Sequence, residues 1–308
     1  MKKRIPLFLS LLLLWGCGAQ PDEQSIGRTY VDDLDRKASI DTQPQRVASL
    51  LGSFSDVWIL AGGELVASAD DAWDDFGLAL PDAVNLGKTK EPSLEKLLEA
   101  QPDLVIASAN TQGDLDMLPT LESAGIPTLF FDVSDFDDYL NMLKICTDIT
   151  GRPDLYEQNG LSIQSRIQES ITRTQAYFGE KPPKVLYLRA SAASIRAKNS
   201  QGNVLGEMLA DFGCINIADS DDSLLENLSV EHILMADPDY IFFVQLGDDA
   251  AGTQANIDAF FAENPAWQTL SAVKEGRVIT LDKRLYNLKP NAMWADAYEQ
   301  LEEILCEE

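Results

Sequence analysis

Residues 229–244 read "SVEHILMADPDYIFFV", and residues 93–108 read "SLEKLLEAQPDLVIAS". At an offset of 136 the two stretches share six of sixteen positions, among them Glu95 with Glu231 and Pro102–Asp103 with Pro238–Asp239. Each copy has the same local physics. Ser93 or Ser229 can cap a helix, and the glutamate two residues on sits in the first turn, where the positive helix end favours it. The proline ends the helix and launches a buried apolar run. A helix-to-strand unit written twice predicts two lobes of similar topology.

The flanking text agrees. "RVASLL" from Arg46 reads as a buried strand, "SDVWILAGG" as a short helix closed by Gly62–Gly63, and "ELVASA" as a second strand. A loop follows, "DDAWDDFGLALPDAVNLGKTKEP", and then the first copy, helix 93–100 and strand 103–108. "DLDMLPTLESAG", "PTLFFDV" and "DFDDYLNMLKICTDITG" continue as helix, strand, helix. Such alternation with short connections predicts a parallel sheet covered by helices. The rhythm breaks at residues 153–179, where Leu155, Leu161, Ile163, Ile167, Ile171 and Phe178 recur at helical spacing without a strand. A second alternation runs from "KVLYLRA" to "NAMWADAYEQLEEILC". The predicted fold is α/β: a lobe at 44–152, a connecting helix at 153–179 and a lobe at 180–308.

The N-terminus is of another kind. Lys2, Lys3 and Arg4 precede "IPLFLSLLLLW", an apolar run of eleven, and then Gly16 and Cys17. The run is too short for a membrane-spanning helix and has the flanks of a signal peptide. Leu14 and Gly16 before Cys17 resemble a bacterial lipobox, which makes residues 1–17 a leader ending on a lipidated cysteine. Residues 18–43, polar and without periodicity, read as a flexible acidic tether. Loss of the three leader cations takes the net charge from −26 to −29. So acidic a chain repels nucleic acid and anionic headgroups, so membrane attachment falls to the lipid. Cys146, Cys214 and Cys306 lack metal spacing, and no structural disulfide is expected.

The leader, the paired "S-x-E … P-D" units and the single connecting helix resemble the class III substrate-binding proteins of ABC importers, the receptors for ferric siderophores, haem and cobalamin. The resemblance covers residues 44–308, most specifically "PSLEKLLEAQPDLVIAS", "LSVEHILMADPDYIFFV" and "KPNAMWADAYEQLEEIL". It implies two Rossmann-like lobes on a rigid helix with ligand between them. It also implies a monomer outside the cytoplasm, lipid-anchored to the bacterial cell membrane, with an ABC permease dimer and its ATPase subunits as partners. In that family a glutamate on the rim of each lobe docks on permease arginines, and the matching positions here are Glu95 and Glu231. Two-fold pseudo-symmetry facing a two-fold dimer would account for the duplication. The alternative is that both are ordinary first-turn glutamates.

Ligands of open α/β sheets lie beyond the carboxyl ends of strands. This rule selects Ser53, Phe54, Trp73, Phe76, Lys88 and Asn110 in the first lobe, and Arg189, Arg196, Gln245 and Tyr286 in the second. Lys90, Ser108, Lys198, Lys283 and Arg284 fall in the same segments. Two aromatics in the polar "DDAWDDFG" favour a crevice wall, since a core tryptophan normally sits in a periodic segment. Trp294, with Tyr298 four residues on, reads as core. One histidine, His232, does not make a metal site. A crevice with aromatic and basic walls suits an intact chelate: a ferric siderophore first, a corrinoid second, haem through Tyr286 third. No cofactor is called for. The chain lacks G-x-S-x-G, a P-loop and a dinucleotide fingerprint. A carboxylate-dependent secreted hydrolase is the alternative of another class.

Overall fold

The computed structural model describes residues 27–40, 43–220 and 222–307; Cys17 lies outside them. In the N-terminal lobe five parallel strands stand in the order β5-β4-β3-β6-β7: β3 Val47–Ser49, β4 Leu65–Ser68, β5 Val84–Asn85, β6 Leu104–Ser108 and β7 Thr128–Phe131. In the C-terminal lobe β8 Lys184–Ala190, β10 Ile215–Asn216, β11 Tyr240–Gln245 and β12 Val278–Leu281 are parallel, in the order β10-β8-β11-β12. Neither β5, inside the segment expected as a loop, nor β9, Ile195–Lys198, was anticipated; β9 runs antiparallel to β8 and pairs Arg189 with Arg196 and Tyr187 with Lys198.

The repeated unit is helix Leu94–Glu99 before β6 and helix Val230–Ala236 before β11. Ser93 caps the first, accepting from the Lys96 N–H at 3.3 Å, whereas Ser229 makes no cap bond. The shared Pro-Asp has a job in both lobes. Asp103 accepts the N–H groups of Gln45 and Arg46, each at 2.8 Å, and Asp239 accepts that of Lys184 at 2.8 Å. Each aspartate thus fixes where the neighbouring strand starts, β3 in one lobe and β8 in the other. The cations at those starts return the contact. Arg46 donates to the Ala100 carbonyl at 2.5 Å and Lys184 to that of Ala236 at 3.0 Å, satisfying carbonyls that a helix end leaves open.

The expected connecting helix is a continuous rod. It runs as Pro153–Tyr156, a π turn at Glu157–Leu161, and Ser162–Phe178. Its Ile163 and Ile167 join Val47, Leu104 and Leu129 of one lobe and Tyr187, Phe242 and Tyr298 of the other in a single apolar cluster. Arg166 reaches Asp296 at 2.7 Å and Glu299 at 2.6 Å, and Arg173 reaches Glu302 at 2.6 Å, which bolts the rod to the C-terminal helix Trp294–Cys306. Trp294 is the core residue its spacing predicted, edge-on to Phe136 of the other lobe at 5.9 Å.

Part of the expected tether is folded. Strands β1 Arg28–Val31 and β2 Lys37–Ile40 form an antiparallel hairpin against the N-terminal lobe. The Asp33 N–H donates to the Phe130 carbonyl at 3.0 Å, buried Asp32 accepts the Phe130 N–H at 3.3 Å, and Arg36 lies over the Phe130 ring at 5.1 Å. Tyr30 donates to Asp148 at 2.7 Å, beside an Arg28–Asp148 ion pair. Charge, hydrogen bonds and the burial of Ala38 and Ile40 in the core hold this segment, so its polarity was no sign of disorder.

Candidate functional site

Where the strands' carboxyl ends face one another, a crevice of about 540 Å³ is lined by Asp74 and Asp75 from one lobe and Gln245, Leu281, Lys283 and Arg284 from the other. It is bridged. Lys283 binds Asp75 across the gap at 2.8 Å and Asp248 of its own lobe at 2.7 Å. Burial lowers the Lys283 ammonium, but those two carboxylates outweigh it and leave its pKa raised. Arg284 stacks on Phe76 at 4.2 Å and reaches Asp56 at 3.4 Å. Asn291, fully buried in a left-handed conformation (φ 56°), donates to the Ser53 carbonyl and to Asp56, both at 2.8 Å.

The predicted residues divide accordingly. Gln245 lines the crevice and donates to the Gly247 carbonyl at 2.9 Å. Trp73 and Phe76 are half-buried on the strap that carries Asp75, but Phe76 is already covered by Arg284. Asn110 is exposed and donates to Asp132 at 2.5 Å. Lys88 is exposed beyond β5, outside the residues lining the crevice. Two positions are corrected outright. Phe54 is 1% exposed and packs edge-on against Phe131 at 6.2 Å, because the helix Gly52–Leu60 starts directly after β3 and turns that ring into the core. Tyr286 is 1% exposed and donates its hydroxyl to the Ala297 carbonyl at 2.9 Å, an inward turn that leaves no phenolate for haem iron. Ser53 is likewise buried, its hydroxyl without a partner among the described residues.

Arg189 and Arg196 gain a common setting from the unanticipated β9. Directly paired residues on antiparallel strands share a face, as do residues two apart. Tyr187, Arg189, Arg196 and Lys198 therefore stand on one face of β8–β9. Arg189 donates to the Tyr187 hydroxyl at 2.9 Å. Burial lowers the Lys198 ammonium and the neighbouring Arg189 lowers it further. Lys289, which sequence reasoning passed over, adds a fourth cation. Burial lowers its pKa, Asp132 across the gap opposes this, and Arg189 lowers it again. Among the described residues no ion pair reaches Arg189, Arg196, Lys198 or Lys289. The charges of Asp132 and Asp138 reach this group through Lys289 but form no ion pair with it, and four cations so gathered in a chain of net charge −26 are a candidate site for an anion.

Glu95 and Glu231 are exposed in the first turns of the two repeated helices, and no ion pair reaches either among the described residues. No group of three or more metal-ligating side chains occurs among the described residues.

A family model described as periplasmic binding protein matches residues 47–285. The chain belongs to the periplasmic binding protein family. This binding protein is 24% identical over 292 residues to the Fe(3+)-citrate-binding protein YfmC of Bacillus subtilis (strain 168), covering 90% of this chain and 87% of the relative. It superposes on the siderophore binding protein BauB, solved with two molecules of acinetobactin and ferric iron, with a TM-score of 0.72 at 21% identity, over 92% of this chain and 100% of that one. For the vitamin B12 binding protein BtuF of Vibrio cholerae the TM-score is 0.68 at 22% identity, over 86% and 97%. These likenesses establish the fold.

Proposed function

We propose that this binding protein captures an intact ferric chelate with anionic donor groups, a siderophore or ferric citrate, between its lobes and delivers it to an ABC permease through Glu95 and Glu231. It acts outside the cytoplasm, anchored by lipid at Cys17. One observation carries the ligand class: Arg189, Arg196, Lys198 and Lys289 are gathered together, and no ion pair among the described residues reaches any of them. Like charges directly opposite on a ladder repel, and a ligand carboxylate or catecholate between them relieves that cost. A family of transport receptors, with relatives named for ferric citrate and siderophores, supports the same reading.

The test is a fluorescence titration of the purified protein with ferric citrate, a ferric catecholate, a ferric hydroxamate, haem and cyanocobalamin. An anionic ferric chelate should bind saturably without turnover. Arg189→Ala and Lys289→Ala should each weaken it by about ten- to a hundredfold, the scale of a charge-assisted hydrogen bond. Saturable binding of uncharged cyanocobalamin alone would overturn the ligand class, and catalytic consumption of any ligand would overturn the transport role.

A further inference from the structure

Lys283 already holds two carboxylates, and they are not equivalent. Asp248, from its own lobe, is 89% exposed, whereas Asp75 comes from the opposite wall and is 27% exposed. Asp75 is delivered by the strap 70–77, whose base is locked. Both Asp71 carboxylate oxygens accept the Gly52 N–H at 2.9 Å, and the backbones approach so closely that a Cβ on Gly52 would meet the Ala72 nitrogen at 2.5 Å. The tip lies on the other lobe, with Phe76 under Arg284. The strap thus places a carboxylate of one lobe onto a cation of the other, inside the crevice.

We propose that Asp75 is a built-in competitor for anionic ligand: it occupies Lys283 until a ligand anion displaces it, and so sets how much negative charge a ligand must carry to be admitted. This rests on the anionic-chelate reading above. The chemistry favours displacement at this pair. Arg284 is satisfied by Phe76, Asp56 and the Lys289 carbonyl, whereas Lys283 donates to two carboxylates and nothing else among the described residues. A chelate carboxylate can replace Asp75 there, and the freed aspartate regains water. An uncharged ligand has nothing to offer Lys283 and leaves the bridge in place. Asp75 is therefore a specificity-determining residue that acts by exclusion, a repulsive element beside the attractive one formed by Arg189 and its neighbours.

Asp75→Asn keeps the shape and removes the charge. With ferric citrate as the anionic probe, Asp75→Asn should bind about tenfold tighter than wild type at low ionic strength, and the gain should shrink as salt is added. The gain should vanish in a Lys283→Gln background, and the affinity for cyanocobalamin should not change. Unchanged or weaker ferric citrate binding in Asp75→Asn, beside a wild type that binds, overturns the competitor and leaves the anionic-chelate reading standing. So does a gain that persists without Lys283 or extends equally to cyanocobalamin. A chelate-free measurement separates the two further. Thermal unfolding of Asp75→Asn, Lys283→Gln and the double variant should be non-additive, and additivity overturns the competitor whatever the chelate. Coupling in unfolding with none of the anionic ferric chelates, citrate, catecholate or hydroxamate, bound by wild type or Asp75→Asn sinks both proposals together.

Discussion

Asp114 has no exposed surface, and one carboxylate oxygen accepts the Ser108 N–H at 2.8 Å while the other has no partner among the described residues. Burial pushes its pKa up to about 7, the Ser108 N–H opposing and the Asp71 charge adding to the rise. Asp71 is itself raised to about 6, chiefly by burial. A carboxyl raised in the folded state favours folding while protonated. Its contribution is complete below the ordinary carboxyl range near pH 4 and is lost as pH rises through 6 and 7. For Asp114 the full loss should be on the order of 4 kcal/mol. Asp114→Asn should therefore show a flatter dependence of stability on pH than wild type, measured by urea unfolding at pH 5 and pH 8. Parallel slopes would mean that the carboxyl ionises freely in the fold.

At the scale of elements, the duplicated unit is a device for starting strands. Asp103 clamps the two residues before β3 and Asp239 the first residue of β8, and Arg46 and Lys184 close the helices of the repeated unit in return. Asp103→Ala and Asp239→Ala should each cost about 1 kcal/mol, by the loss of backbone acceptors, with chelate affinity little changed; urea unfolding beside a binding titration checks both. The alternation, the rod and the two repeats were legible because hydrophobic period reports burial directly. The hairpin β1–β2 was not, since its docking depends on Asp32, Asp33 and Arg36 meeting Phe130, some hundred residues away. Nor was β9, whose "IRAK" is half cationic and earns its place only by pairing with β8. The site was legible in part for the same reason. The rule of strand carboxyl ends picked out Gln245, which lines the crevice, while Arg189 and Arg196 lie within β8 and β9; and sequence cannot tell which way a ring turns after a strand. Phe54 and Tyr286 turned inward, and Lys289, beyond any strand, came near Arg189 through the fold of the segment before the last helix.

As a whole molecule, the protein has one apolar cluster running through both lobes and the rod between them. Lobes sharing a core, pinned by Asn291 and tied by Arg166 and Arg173, favour a body with small closure, which presents Glu95 and Glu231 at a nearly fixed separation. Glu95→Lys or Glu231→Lys should leave folding and chelate affinity within about 0.5 kcal/mol of wild type, as exposed substitutions do. Uptake of labelled chelate by cells carrying the cognate permease should fall with either and fall further with both. Undiminished uptake in the double variant would leave the glutamates as helix-turn residues and nothing more. The docked hairpin has a consequence for how the receptor searches. With Arg28 fastened to the body through Asp148, a leash to a lipid on Cys17 would have eleven residues of chain to span the distance. At about 3.5 Å per residue such a leash cannot reach beyond roughly 40 Å. A receptor lipidated at Cys17 would then patrol a thin shell above the bilayer, where its local concentration at a permease is set by leash length and lateral diffusion together rather than by bulk abundance.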